Sequence, residues 1–245
     1  MSRQLTNRNR KCPARAAVGL AMALLLTPAA TAAAEPQRYA VRAFGVRIGE
    51  LTLATREAGG AYTASARFRT TGLAGALAHV RFDMRSEGKL HPHLTPLSYV
   101  EQVETGRRSS DATLIFGSGG PTLSGGRAGA EGPAVPDRLQ RNTVDPMTAL
   151  FAALRTRPRS ALCDLDLAVF DGARLNRLTL ARASEQAATI TCSGRFDRRA
   201  GYPPEEMARQ PGFAVSLIFS GTHDGMQATR AEVETVHGPV TLILR

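Results

Sequence analysis

The chain has 245 residues, 31 of them basic and 21 acidic, with no tryptophan and only 5% aromatic residues. Five of the basic residues and none of the acidic ones fall in the first 34 positions, so the formal charge of +10 drops to +5 over residues 35–245. So mild a balance gives no footing for a nucleic-acid binder, and the shortage of rings argues against a stacking platform for sugars or bases.

The first segment reads as an export signal. Arg3, Arg8, Arg10, Lys11 and Arg15 form a basic head, and Ala16 to Leu26 is an apolar run too short to span a bilayer comfortably. Ala32-Ala33-Ala34 supplies the small residues of a cleavage site, with Glu35 as the mature N-terminus. Cys12 precedes the apolar run, so it is no lipidation cysteine and leaves with the signal. The expected location is the periplasm. No transmembrane segment is expected after signal removal, and residues 35–245 suffice for one β-rich domain.

The mature chain then alternates. Arg38–Phe44 reads as a strand, and Gly45 to Gly49 as a turn or bulge. In 50–56 Leu51, Leu53 and Thr55 share a face. In 61–69 Tyr62, Ala64, Ala66 and Phe68 oppose Thr63, Ser65, Arg67 and Arg69. In 80–89 Val80, Phe82 and Met84 point inward. A period of two marks an antiparallel sheet with one wet face. Thr71–Ala78 is small and apolar, a helical turn or a lip loop. Leu97–Glu104 and Arg108–Phe116 read as a hairpin, followed by a Gly-, Pro- and Ala-rich loop to Pro136 with a short strand near Thr122-Leu123.

One convincing helix follows. Asp145 is a natural N-cap and Pro146 suits the first helical position. Met147, Leu150, Phe151 and Leu154 then make one apolar stripe, with Thr148 and Ala152 expected off it, on the surface. A lone helix of this length is marginal in water, so the stripe must be buried against the sheet. Beyond it, Asp164–Phe170, Arg174–Arg182 and Ala187–Phe196 form a meander with Asp171-Gly172 as a tight turn. Residues 197–211 read as irregular. Phe213–Ser220, Gln227–Val236 and Val240–Leu244 close the chain. The expected fold is mainly β: a strongly curved, half-open antiparallel sheet of about a dozen strands, with the helix on its concave face.

Cys163 and Cys192 remain in the mature chain. In an oxidising compartment they read as a structural disulfide; the alternative is two buried thiols. Strands one and three of a meander stand too far apart for a direct bridge. Cys163 must therefore precede its strand and fold back over the sheet.

The signal, the spacing Tyr39…Gly45…Gly49, the helix entry Asp145-Pro146-x-x-Ala149-Leu150, and Val169-Phe170-Asp171-Gly172 after Cys163 carry a resemblance. The chain resembles an exported bacterial family catalogued as domain of unknown function 3108. The resemblance implies one periplasmic β-rich domain and brings no catalytic residues with it. The architecture is also similar to the half-open barrels of lipoprotein carriers, an analogy of fold from which function does not follow.

Chemistry is sparse. His91, His93, His223 and Asp224 could begin a metal site, but a polar turn is the plainer reading, and no metal or other cofactor is expected. No GxSxG elbow occurs. Asp164 and Asp166 share a face that reads as solvated. Arg155, Arg157 and Arg159 complement the negative end of the helix dipole; a head-group clamp would need Arg195, Arg198 and Arg199 to converge on them. Two classes of function remain, a non-catalytic envelope factor and an enzyme on an envelope substrate with no identifiable site; a third possibility is a purely structural partner of another envelope protein. The first is preferred, with a lipid, a lipoprotein or another envelope protein as partner. An open apolar cavity on the concave face would favour ligand binding; a filled one would favour a protein partner.

Overall fold

The computed structural model describes residues 35–72, 75, 79–105, 109–126, 132–235 and 238–245. The expected export signal lies outside the described residues, as do Cys12, most of the Thr71–Ala78 segment and Val236.

Thirteen strands form one antiparallel sheet: β1 (Gln37–Ala43), β2 (Val46–Ala58), β3 (Ala61–Thr70), β4 (Arg81–Lys89), β5 (Thr95–Glu104), β6 (Ser109–Gly117), β7 (Gly120–Gly125), β8 (Leu165–Phe170), β9 (Leu175–Gln186), β10 (Thr189–Ala200), β11 (Gly212–Thr222), β12 (Gly225–Thr235) and β13 (Gly238–Leu244). β1 to β7 are one meander and β8 to β13 another. The two are joined where β1 pairs with β13, Val41 opposite Leu242. The order of strands leaves β7 and β8 as edges, so the sheet is not closed.

The inward faces follow the alternation in the sequence. Leu51 and Leu53, Tyr62, Ala64 and Ala66, and Val215, Leu217 and Phe219 are all buried. Register shifts at Val41/Arg42, Glu87/Gly88, Thr191/Cys192 and Ile218/Phe219 bend the strands, as bulges do. The curl brings the two edges together without joining them. Gly172, in the β8–β9 turn, has φ +98°, and a Cβ added there would lie 2.9 Å from Cδ1 of Leu123 on β7. Only glycine meets both the backbone and the space demanded at this point. The free edge of β8 is covered by the chain itself. Val144 N–H donates to Ala168 O and Phe170 N–H to Val144 O, both at 2.8 Å.

Between strands lie α1 (Asp137–Gln140), α2 (Pro146–Leu154) and α3 (Pro204–Arg209), with a 3-10 turn at Arg159–Ala161; Gly72 and Gly75 are also helical. α3 and the extension of β10 to Ala200 occupy the stretch expected to be irregular. The central helix is α2. Asp145 caps it by accepting from Thr148 N–H at 2.8 Å, and Pro146 opens it. It touches β3 and β4 on one side and β8 on the other, so the sheet wraps around it.

That wrapping corrects the expected one-sided stripe. Met147, Phe151 and Leu154 are buried, but so are Thr148 and Ala152, both at 0% exposure, while Leu150 is only half-buried. A concave sheet surrounds a helix that a flat one would cover on a single face.

Cys163 and Cys192 form the disulfide, with Cα atoms 5.1 Å apart. Cys163 precedes β8, in a left-handed conformation with φ +65°, and reaches back to β10 across the inner face. The spacing of strands requires that detour.

Candidate functional site

α2 divides the concavity into two unequal halves. Toward β3 and β4 it presents bulk and hydroxyls. Phe151 stacks on Tyr62, ring centroids 4.8 Å apart. The Tyr62 hydroxyl meets Thr148 Oγ1 at 2.6 Å, and Thr148 Oγ1 donates to Asp145 Oδ2 at 2.6 Å. Ser86 on β4 lies 2.9 Å from both Thr148 Oγ1 and Asp145 Oδ2, and 3.0 Å from Ser98 O. Three hydroxyl protons thus serve five oxygen–oxygen contacts. Protonation of Asp145 would supply a fourth. Burial holds the Asp145 carboxyl above the ordinary carboxylate range, although the bonds it accepts from Thr148 and Ser86 pull the other way. Its Oδ1 caps the helix while its Oδ2 ties the helix to the sheet. Burial also pushes the Tyr62 phenol up to about 12. This side anchors the helix through buried side chains.

Toward β8–β13 the helix presents the short Pro146, Ala149 and Ala153 and the longer Leu150 and Leu154. Opposite stand Leu178 and Leu180 on β9, Phe196 on β10, Val215 and Leu217 on β11, and Ala231 on β12. The short residues do not fill the span, and a cavity of about 470 Å³ remains. That size and its apolar walls match small-molecule sites. A larger hollow of about 590 Å³ lies over Thr52, Arg67, Asp83 and Gln102, but its walls mix charged and apolar side chains.

The cavity's polar lining is Asp171, Arg174, Asn176 and Tyr202. The first three belong to the β8–β9 turn and the start of β9. Tyr202 donates to Asn176 Oδ1 at 2.6 Å. The guanidinium carbons of Arg174 and Arg198 lie 4.8 Å and 4.7 Å from the centre of its ring. Asp171 Oδ1 accepts from the N–H groups of Ala173 and Arg174, at 2.9 Å and 2.7 Å, which fixes the turn.

A family model described as Protein of unknown function (DUF3108) matches residues 38–201. The chain belongs to this family. The matched span holds the first ten strands, α2, both cysteines and the β8–β9 turn. Among solved structures, the crystal structure of a beta-barrel-like protein of domain of unknown function DUF1849 from Brucella abortus is similar, with a TM-score of 0.52 at 10% identity, covering 86% of this chain and 95% of that one. At that identity the likeness is one of fold. No curated protein matches.

In this DUF3108 chain the six arginines weighed as a clamp do not converge. Arg155 pairs with Glu57 at 2.8 Å, and Arg159 with Glu185 at 2.7 Å near the β9–β10 hairpin. Arg195 and Arg199 pair with Asp197, and Arg198 with Glu206, at the opposite end of β10. Arg157 is buried over the Phe219 ring at 5.8 Å; burial and the neighbouring Arg155 pull its pKa down to about 10. Asp166 is exposed and bound to Arg177. His91 and His93 lie in the β4–β5 turn and His223 in the β11–β12 turn. Among the described residues no three of His, Cys, Asp and Glu gather in one place.

The residues the sequence reading passed over are Ser86, Arg174, Asn176 and Tyr202. Ser86 carried a signal. It continues the inward register of Phe82 and Met84, where an apolar residue belongs. Arg174 and Tyr202 carried none, because each becomes part of the site only when β9 and the segment after β10 come together.

Proposed function

We propose that this protein is a non-catalytic factor of the bacterial cell envelope, exported to the periplasm, that holds an apolar ligand between α2 and strands β8–β13. The observation that carries the reading is the apolar cavity of about 470 Å³ left between the short side chains of α2 and the sheet. The basic, apolar and small-residue sequence of the first 34 residues supports export, and the Cys163–Cys192 disulfide suits an oxidising compartment. A long acyl chain is the class of ligand the walls favour, since thirteen of the eighteen lining residues are aliphatic.

The test uses an environment-sensitive apolar dye. The mature protein should bind it saturably, and a long-chain lipid should displace it. Ala231→Phe places a ring in the cavity, and it should abolish dye binding while the protein stays folded by circular dichroism. Saturable binding that is unchanged in Ala231→Phe would put the dye elsewhere and defeat the proposal. Absence of any binding would move the function to a protein partner.

A further inference from the structure

The cavity is not uniformly apolar, and its polar groups gather at one end. Pro146, at the N-terminus of α2, lies at that same end, because Val144 is paired to the end of β8 next to Asp171. The helix dipole therefore adds a partial positive charge there. Of the cavity's lining residues, only Arg174 is basic and only Asp171 is acidic. They are not equivalent. The Asp171 carboxylate is engaged by two backbone N–H groups of its own turn. The Arg174 guanidinium rests on the Tyr202 ring, and among the described residues it makes no hydrogen bond or ion pair. Its Nε is buried without a partner. Arg198, on the same ring, is by contrast consumed: it donates to Glu206 O and Gln210 O, at 3.1 Å each, and faces the Glu206 carboxylate at 3.6 Å.

A guanidinium with a buried, unpartnered N–H is costly unless something else pairs with it. Arginine's planar fork matches a carboxylate or phosphate in particular. The geometry points to a ligand with two parts: an acyl chain along Leu178, Leu180, Val215 and Leu217, and an anionic head, carboxylate or phosphate, on Arg174. This rests on the reading of the cavity as a ligand site and adds the class of ligand. Arg174 is the specificity residue; Tyr202 and Asn176 position it, with the phenol held by the amide and the ring carrying the guanidinium.

The experiment compares a long-chain fatty acid with the fatty alcohol of the same chain, each displacing the apolar dye at mildly alkaline pH. The unmutated protein should prefer the acid by about tenfold or more, the worth of one charge-assisted pair. Arg174→Met should remove that preference by weakening the acid several-fold more than the alcohol, and Arg174→Lys should keep part of it. A merely structural role for Arg174 predicts instead that acid and alcohol weaken together. Equal binding of acid and alcohol to the unmutated protein overturns the assignment of an anionic head while the apolar site stands. A preference that survives in Arg174→Met overturns the role of Arg174. Displacement by neither compound removes the ligand reading and this inference with it.

Discussion

Thr148→Val is the sharpest probe of how α2 is held. Valine keeps the volume and the branching of threonine and deletes one hydroxyl. From composition and spacing, position 148 belongs to the solvent side of the helix, where such a change stays within about 0.5 kcal/mol. The structure predicts otherwise. Thr148 is fully buried, and its Oγ1 meets the Tyr62 hydroxyl, Ser86 Oγ and Asp145 Oδ2. Its loss takes the closest partner of the buried Tyr62 phenol and leaves it only the Ser86 hydroxyl, which costs about 1–3 kcal/mol, and removes one bond to the cap carboxyl, roughly another 1 kcal/mol. The expected destabilisation is about 2–4 kcal/mol, a large share of the roughly 5–15 kcal/mol available to a domain. Urea unfolding followed by circular dichroism measures it, as a lower midpoint at unchanged slope. Tyr62→Phe in the same chain removes the under-partnered phenol, so the double variant should be more stable than the sum of the singles implies, by about 1 kcal/mol or more. A Thr148→Val protein within about 0.5 kcal/mol of the parent, or strict additivity with Tyr62→Phe, would refute the idea that hydroxyls anchor the helix.

Two further outcomes follow from the same side of the molecule. Because burial raises the folded-state pKa of Asp145, its contribution is fully present below the ordinary carboxylate pKa of about 4 and is lost as pH rises through the raised value. Asp145→Asn keeps an acceptor for the cap and a donor for the hydroxyl chain, so its stability relative to the parent should improve as pH rises from about 4; a pH-independent difference between the two would contradict the raised pKa of Asp145. Replacing both Cys163 and Cys192 by serine frees a loop of sequence separation 29 and should lower stability by about 3–4 kcal/mol, while the unmutated mature protein shows no free thiol when denatured without reductant.

The strand alternation carried much of this fold, because a two-residue period with one apolar face has few other readings. Tyr62, Ala64 and Ala66 in β3 and Val215, Leu217 and Phe219 in β11 announce their inward face directly. The Asp145-Pro146 entry likewise places α2 within a residue. What could not be read was which side of α2 would be empty. Ala149 and Ala153 are good helix formers in any setting, and their shortness matters only opposite Ala231 and Leu217. The same holds for Thr148, whose burial depends on the sheet curling through more than the helix's width. Periodicity in a chain reports one preferred direction, and a helix enclosed by a wrapped sheet has none.

An apolar cavity in a close-packed domain needs a reason not to collapse, since its lining forfeits dispersion contacts on the empty side. Here the restraint is visible. On the anchored side Phe151 stacks on Tyr62, and Thr148 and Asp145 bond to Tyr62 and Ser86, so the helix is fixed against β3 and β4 in position and rotation. The chain before α2 is pinned to β8 through Val144, and the chain after it is pinned to β10 through Cys163. With both ends and one face held, α2 cannot slide toward Leu217 and Ala231 to fill the space. The polar groups that cost desolvation on one side of the helix thereby keep the other side open, and under the proposed reading of the cavity the affinity for an apolar ligand is coupled to them without contact. Thr148→Val should then weaken dye binding at a urea concentration where the protein is still folded, although Thr148 lies on the far side of α2 from the cavity.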